Sequence, residues 1–147
     1  MKVHSLSGNV LLYVYNYDDA DACINNVQAG SKLILSASRS IEKNINRLKH
    51  ILPSILIRGV MSVIIIGEFS EEYHDLVDEI IDEIFVRENR VDMLNIVTTF
   101  HGSEDLGVVF DVYIDGVDKE QNASSVIYIY DENVAEDRGL KSFLTAR

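Results

Sequence analysis

Residues 62–67 read SVIIIG, the most continuously apolar run in the chain. A strand with one face in water alternates polar and apolar residues, so a run without alternation is buried on both faces, as in a parallel sheet covered by helices. The period then changes. Tyr73, Leu76, Val77, Ile80, Ile81, Ile84 and Phe85 fall at i, i+3, i+4, i+7, i+8, i+11 and i+12, the apolar stripe of a helix, with Ser70 as a cap candidate.

The same pairing of strand and helix recurs along the chain. Residues 9–16 (NVLLYVYN) read as a strand, after which Asp18 and Asp19 supply cap chemistry for a short helix carrying Ala20, Cys23, Ile24 and Val27 and stopping at Gly30. Residues 32–36 (KLILS) read as a second strand. Ser38 or Ser40 then caps a helix bearing Ile41, Ile45, Leu48 and Ile51, which Pro53 kinks or ends. Residues 95–100 (NIVTTF) form a fourth strand. Ser103, Glu104 and Asp105 open a helix with Leu106, Val109, Phe110, Tyr113 and Ile114, although the β-branched residues there leave a strand as the alternative. Residues 125–130 (SVIYIY) form a fifth strand, and Leu140, Phe143 and Leu144 dock a last helix. The expected fold is α/β: a three-layer sandwich with a mostly parallel five-stranded sheet, helices on both faces and strand order 2-1-3-4-5 or a permutation. No stretch rich in Pro, Gly or Ser interrupts it, so residues 1–147 read as a single globular domain.

Ligands of open α/β sheets bind beyond the carboxyl ends of the strands. The residues expected there are Asn16, Asp18 and Asp19; Ser36, Ser38, Arg39 and Ser40; Gly67 and Glu68; Thr98, Thr99 and His101; and Asp131 and Glu132. The acidic pair after strand one, Glu68 after strand three and the threonines of strand four resemble the site of response-regulator receiver domains. The sequence departs from that pattern where it matters chemically. Glu68 replaces the phosphoaccepting Asp, and Tyr130, Asp131 and Glu132 stand where a charge-neutralising Lys belongs. An enzyme reading remains, in which Asp18, Asp19, Glu68 and His101 converge on Mg²⁺ or a substrate. A third reading is a degenerate regulatory domain that associates with itself or a larger machine.

Several chemistries lack their residues. The first strand–helix turn holds no glycine for a pyrophosphate, and no GxxxxGK[ST] occurs. His4, His50, His74 and His101 have no metal-ligand spacing, so neither a metal nor another cofactor is expected. The Ser36–Ser40 turn with Arg39 is the one anion-holding candidate, which helix capping also explains. Cys23 lies at an apolar helix position and reads as a buried core thiol; Tyr13, Tyr15 and Tyr17, like Tyr128 and Tyr130, alternate along a strand as core residues do. One cysteine forms no internal disulfide and no signal peptide is visible, which sets a cytoplasmic location as the expectation.

Charge supplies the positive signal. With 24 Asp and Glu against 13 Lys and Arg, the net charge is −11, which repels nucleic acid and anionic membranes and attracts basic proteins. The acids concentrate on the third helix, as Glu71, Glu72, Asp75, Asp78, Glu79, Asp82 and Glu83, with only Arg87 nearby. Asp111, Asp115, Asp118 and Glu120, or Asp131, Glu132, Glu136 and Asp137, could extend this face. Like charges at i, i+3 and i+4 destabilise a helix, and a face built for solubility mixes signs. The size, the charge and the missing catalytic groups suit a small inhibitor, immunity- or antitoxin-like, that neutralises a basic nuclease-type toxin. The seven acids are its expected partner-binding residues.

Overall fold

The computed structural model describes residues 2–5, 10–102, 106–109 and 125–145. It contains one sheet of six strands: β1 (Lys2–Ser5), β2 (Leu11–Asn16), β3 (Lys32–Ser36), β4 (Ser62–Ile66), β5 (Val97–His101) and β6 (Ser125–Tyr130), in the spatial order β1-β2-β6-β3-β4-β5. The five strands from β2 onward are mutually parallel, and β1 adds to β2 antiparallel. The helices are α1 (Ile41–Leu56), α2 (Ser70–Glu88), α3 (Leu106–Val109) and α4 (Ala135–Thr145), with 3-10 segments at Tyr17–Asn26 and Val91–Asn95. The α/β sandwich is as expected. The β1 strand is an addition, and the parallel set takes a permutation of the 2-1-3-4-5 order, in which the last strand lies between the first two and not at the far edge.

Composition along each strand explains that order. All six residues of β6 are buried, with Val126, Tyr128 and Tyr130 in one core and Ile127 and Ile129 in the other. Such a strand needs neighbours on both sides and layers on both faces. In β5, by contrast, Val97 and Phe100 are exposed and two threonines sit between them, so it tolerates the sheet edge. Handedness then assigns the layers. The connections β2→β3→β4→β5 advance across the sheet in one direction, and their helices share one face; β5→β6 returns, and its connection takes the other. Accordingly the 3-10 segment, α1 and α2 pack on Leu33, Leu35, Val63 and Ile65, while Val109, Leu140 and Leu144 of α3 and α4 pack on Val14, Ile34 and Ile64.

Four local readings change. The first helix is 3-10, because its buried residues Tyr17, Ala20 and Cys23 recur every third position, the period of that helix. It ends at Asn26, and Gly30, at φ 84°, instead makes the turn into β3. Pro53 does not end α1. Ile51, Leu52, Ile55 and Leu56 are fully buried on both sides of it; at about 1.5–3 kcal/mol each, their burial outweighs the roughly 3 kcal/mol a helical proline costs. Ser40 stands at the N-cap of α1 as expected but makes no side-chain cap bond, whereas Ser70 lies inside α2, which also starts without one. The fourth strand is shifted, starting at Val97 after a 3-10 turn. Ser103, Glu104, Asp105, Phe110, Asp111, Tyr113, Ile114, Asp115, Asp118 and Glu120 lie outside the described residues. No helix among the described residues is long and apolar enough to cross a membrane.

Candidate functional site

The outer face of α2 carries all seven predicted acids in exposed positions, because the stripe from Tyr73 to Ile84 takes the opposite face into the core. Their surroundings leave them largely uncompensated. Among the described residues no Lys or Arg forms an ion pair with any of them. Arg87 lies beside Asp82 and Glu83 on α2 without an ion pair to either, and three other arginines pair elsewhere: Arg39 with Asp131, Arg47 at 3.6 Å from Asp18, and Arg90 at 2.6 Å from Asp92. Glu72 has a local role, accepting the Ile41 amide at 3.4 Å where α1 begins, a favourable place for negative charge. His74 alone approaches the row, with Nδ1 3.5 Å from Asp78 and 3.8 Å from Asp75. The ring of His74 also lies 4.8 Å from that of Phe100 on β5, joining the acidic face to the edge of the sheet.

The carboxyl edge of the sheet holds a different arrangement, centred on a residue that the sequence reading used only as surface charge. Asp137 is buried beneath the loops that follow β3 and β6. One of its carboxyl oxygens accepts the Ser36 hydroxyl at 2.5 Å and the Asp131 amide at 2.7 Å; the other accepts the Ser38 hydroxyl. Both oxygens are therefore engaged. Around this knot Tyr17 donates its hydroxyl to the Ser36 carbonyl at 2.6 Å, and Tyr73 donates to the Arg39 carbonyl at 2.9 Å while accepting from Asn44. Burial, with neighbouring Tyr73 and the carboxyls of Asp137 and Asp131 adding to it, pushes the Tyr17 hydroxyl well above the ordinary tyrosine range. Asp137 was legible as an anomaly: with Leu140 and Leu144 it falls at i, i+3 and i+7, a carboxyl on the apolar stripe of α4.

Two clefts flank the knot. One, of about 320 Å³, is lined by Ser38, Gly67, Glu68, Gly102, Glu136 and Asp137 among others; the second, of about 240 Å³, lies between Asn16, Asp18, Arg39, Lys43 and Asp131. The candidates Asp18, Asp19, Glu68 and His101 do not converge, which corrects the expectation of a common cleft. Asp18 and Glu68 line different clefts, both exposed, and His101 is buried with its Nε2 2.9 Å from the Thr99 hydroxyl. No group of three or more His, Cys, Asp or Glu gathers as metal ligands would among the described residues. Arg39 is turned to Asp131, and Ser38 to Asp137, so the Ser36–Ser40 turn closes on the protein's own carboxyls. Cys23 is fully buried, and burial pushes its thiol up to about 12.

Comparison with curated proteins and with solved structures gives no match. A family model does match, over residues 13–137, a span running from β2 to the buried Asp137 of α4. The chain belongs to the family described as Domain of unknown function (DUF7684).

Proposed function

We propose that this protein is a small acidic cytoplasmic inhibitor, immunity- or antitoxin-like, that neutralises a basic nuclease-type toxin by electrostatically complementary binding. The observation that carries the reading is the row of exposed acids on α2, with no Lys or Arg paired to it among the described residues. A folded helix that keeps Asp75, Asp78 and Asp82 at i, i+3 and i+7 gives up some tenths of a kcal/mol per like-charged pair. A surface kept at that cost suits a role outside the fold. Such a row accelerates encounter with a cationic cleft and rejects acidic competitors. A toxin that holds phosphates must present a cleft of the opposite sign. A lone cysteine kept as a buried thiol fits a reducing compartment.

The test is capture of the tagged chain's partners at low and at high salt, followed by assay of the captured protein for nuclease activity and its suppression. A stoichiometric basic nuclease, released by salt and inhibited by this chain, is the expected outcome. Replacing Asp75, Asp78, Asp82 and Glu83 by Lys should abolish that binding and leave the fold intact, since all four side chains are exposed. Undiminished affinity in this variant removes the acidic face of α2 from the account.

A further inference from the structure

The strand β5 ends the sheet, and among the described residues no strand pairs with its outer side. Its backbone register fixes which groups look outward. The Val97 amide donates to the Met61 carbonyl at 3.2 Å, and the His101 carbonyl accepts the Gly67 amide at 3.0 Å, so both residues turn their peptide groups toward β4. Strand geometry repeats every two residues. Thr99 therefore faces β4 as well, while Thr98 and Phe100 direct their N–H and C=O groups away from the sheet. Natural edge strands are commonly guarded by Lys, Pro or a bulge. The β5 sequence, VTTFH, carries neither residue, and its pairing with β4 runs unbroken from Val97 to His101.

The side chains along this edge are also unusual for a water-facing surface. Val97 is 59% exposed and Phe100 43% exposed. The Phe100 ring contacts His74, which in turn lies against Asp75 and Asp78, so Phe100 and the acidic row form one continuous surface, while Val97 stands on the opposite face of the same edge. Asp82 continues the row one turn along α2.

We propose that the outer edge of β5 takes up an extended basic segment of the partner as a further strand. Thr98 and Phe100 supply the backbone hydrogen bonds, Val97 and Phe100 the apolar contacts, and Asp75, Asp78 and Asp82 receive Lys or Arg side chains. This inference rests on the acidic face being the binding surface and adds how the partner is held. Charge selects the occupant. A second copy joined edge to edge about a two-fold axis would bring two acidic helices to the same seam in a chain of net charge −11, whereas a basic segment is attracted there.

The probe is a fluorescently labelled peptide of alternating lysine and valine, titrated against the full chain at low salt, together with the same peptide N-methylated at alternate residues. Thr98→Pro tests the edge directly. It deletes an outward N–H and leaves the β4 ladder in place, and the Thr98 hydroxyl it removes is buried without a hydrogen-bond partner. The peptide should bind the native chain and slow amide exchange at Thr98 and Phe100 with no change at Thr99. Thr98→Pro should weaken binding about tenfold, the worth of one hydrogen bond of about 1.4 kcal/mol. N-methylation should weaken it likewise, which keeps the test valid should the variant fail to fold. Equal affinity in both cases, or no binding at all, overturns strand addition. If Asp75, Asp78 and Asp82 replaced by Lys abolish binding while Thr98→Pro and N-methylation do not, the acidic face still attracts cations and only the edge is wrong. Loss in neither variant counts against both. Self-association of the chain that rises with concentration and disappears in Thr98→Pro overturns the basic occupant in favour of a second copy.

Discussion

Asp137 on α4 accepts the hydroxyl of Ser36, 101 residues earlier in the chain, at 2.5 Å. The pair joins the last helix to the end of β3, across a sheet in which β6 neighbours β3 only because the final strand returns to the middle. With Ser38 and the Asp131 amide on the same carboxyl group, one side chain fastens the loops after β3 and β6 to α4.

Removing that carboxyl leaves a part-buried backbone amide and two serine hydroxyls without their acceptor. Each such group costs about 1–3 kcal/mol when nothing replaces the bond, and the hydroxyls can turn elsewhere. Asp137→Ala is therefore expected to destabilise the fold by about 3 kcal/mol. Asp137→Asn should recover much of that loss, because its Oδ1 can still accept the Ser36 hydroxyl and the Asp131 amide while its N–H₂ donates to the Ser38 hydroxyl oxygen. Urea unfolding checks both, and an Asp137→Ala midpoint equal to that of the native chain would refute the clamp.

Gly67 tests the neighbouring loop. Its φ of 144° is rarely adopted by residues with a side chain, and a Cβ there would stand 2.5 Å from the Ala37 carbonyl carbon and 2.8 Å from the Ser38 nitrogen. Those atoms are backbone and cannot turn aside as a flexible side chain would. Gly67→Ala should thus cost more than the 1–3 kcal/mol of a strained conformation alone, about 4 kcal/mol. Thermal unfolding of the variant measures it. A loss below about 1 kcal/mol would mean that the loops after β3 and β4 yield easily.

How much of this was legible in the sequence depends on the range over which each residue is specified. Apolar pattern is local, so the five parallel strands and the stripe of α2 follow directly from SVIIIG and from Tyr73 to Phe85. Strand order is not local. It was nonetheless encoded in a contrast: apolar residues on both faces of β6 against the threonines of β5. The 3-10 segment was missed because Tyr17 was assigned to the strand before it, which hid the three-residue period with Ala20 and Cys23. The seven acids of α2 stand exposed as the helical period requires. The grouping of Asp18, Asp19, Glu68 and His101 failed because sharing one edge of a sheet does not bring side chains into one cleft. Asp137 escaped notice because negative charge was read as surface, although its place on the stripe of Leu140 and Leu144 argued otherwise.

Alkaline pH tests the buried hydroxyls and the thiol together. Burial is the main cause that raises Tyr17 and Tyr128 well above the usual tyrosine value, raises Tyr73, and pushes the Cys23 thiol up to about 12. In each case the folded chain binds its proton more tightly than the unfolded chain. The stabilisation is then fully present below the unfolded values, about 8.5 for the thiol and about 10 for tyrosine, and is lost as pH rises above them. Stability should accordingly fall from about pH 9 upward, and more steeply past about pH 10. Tyrosinate absorbance from the buried rings of Tyr15, Tyr17, Tyr73 and Tyr128 should appear only with unfolding. At mildly alkaline pH, iodoacetamide should alkylate Cys23 slowly in the native protein and rapidly in urea, because both the thiol proton and the surrounding core protect it. A single smooth tyrosine titration without loss of structure, or equal alkylation rates in the two solvents, would show that the core between the sheet and α1 opens readily.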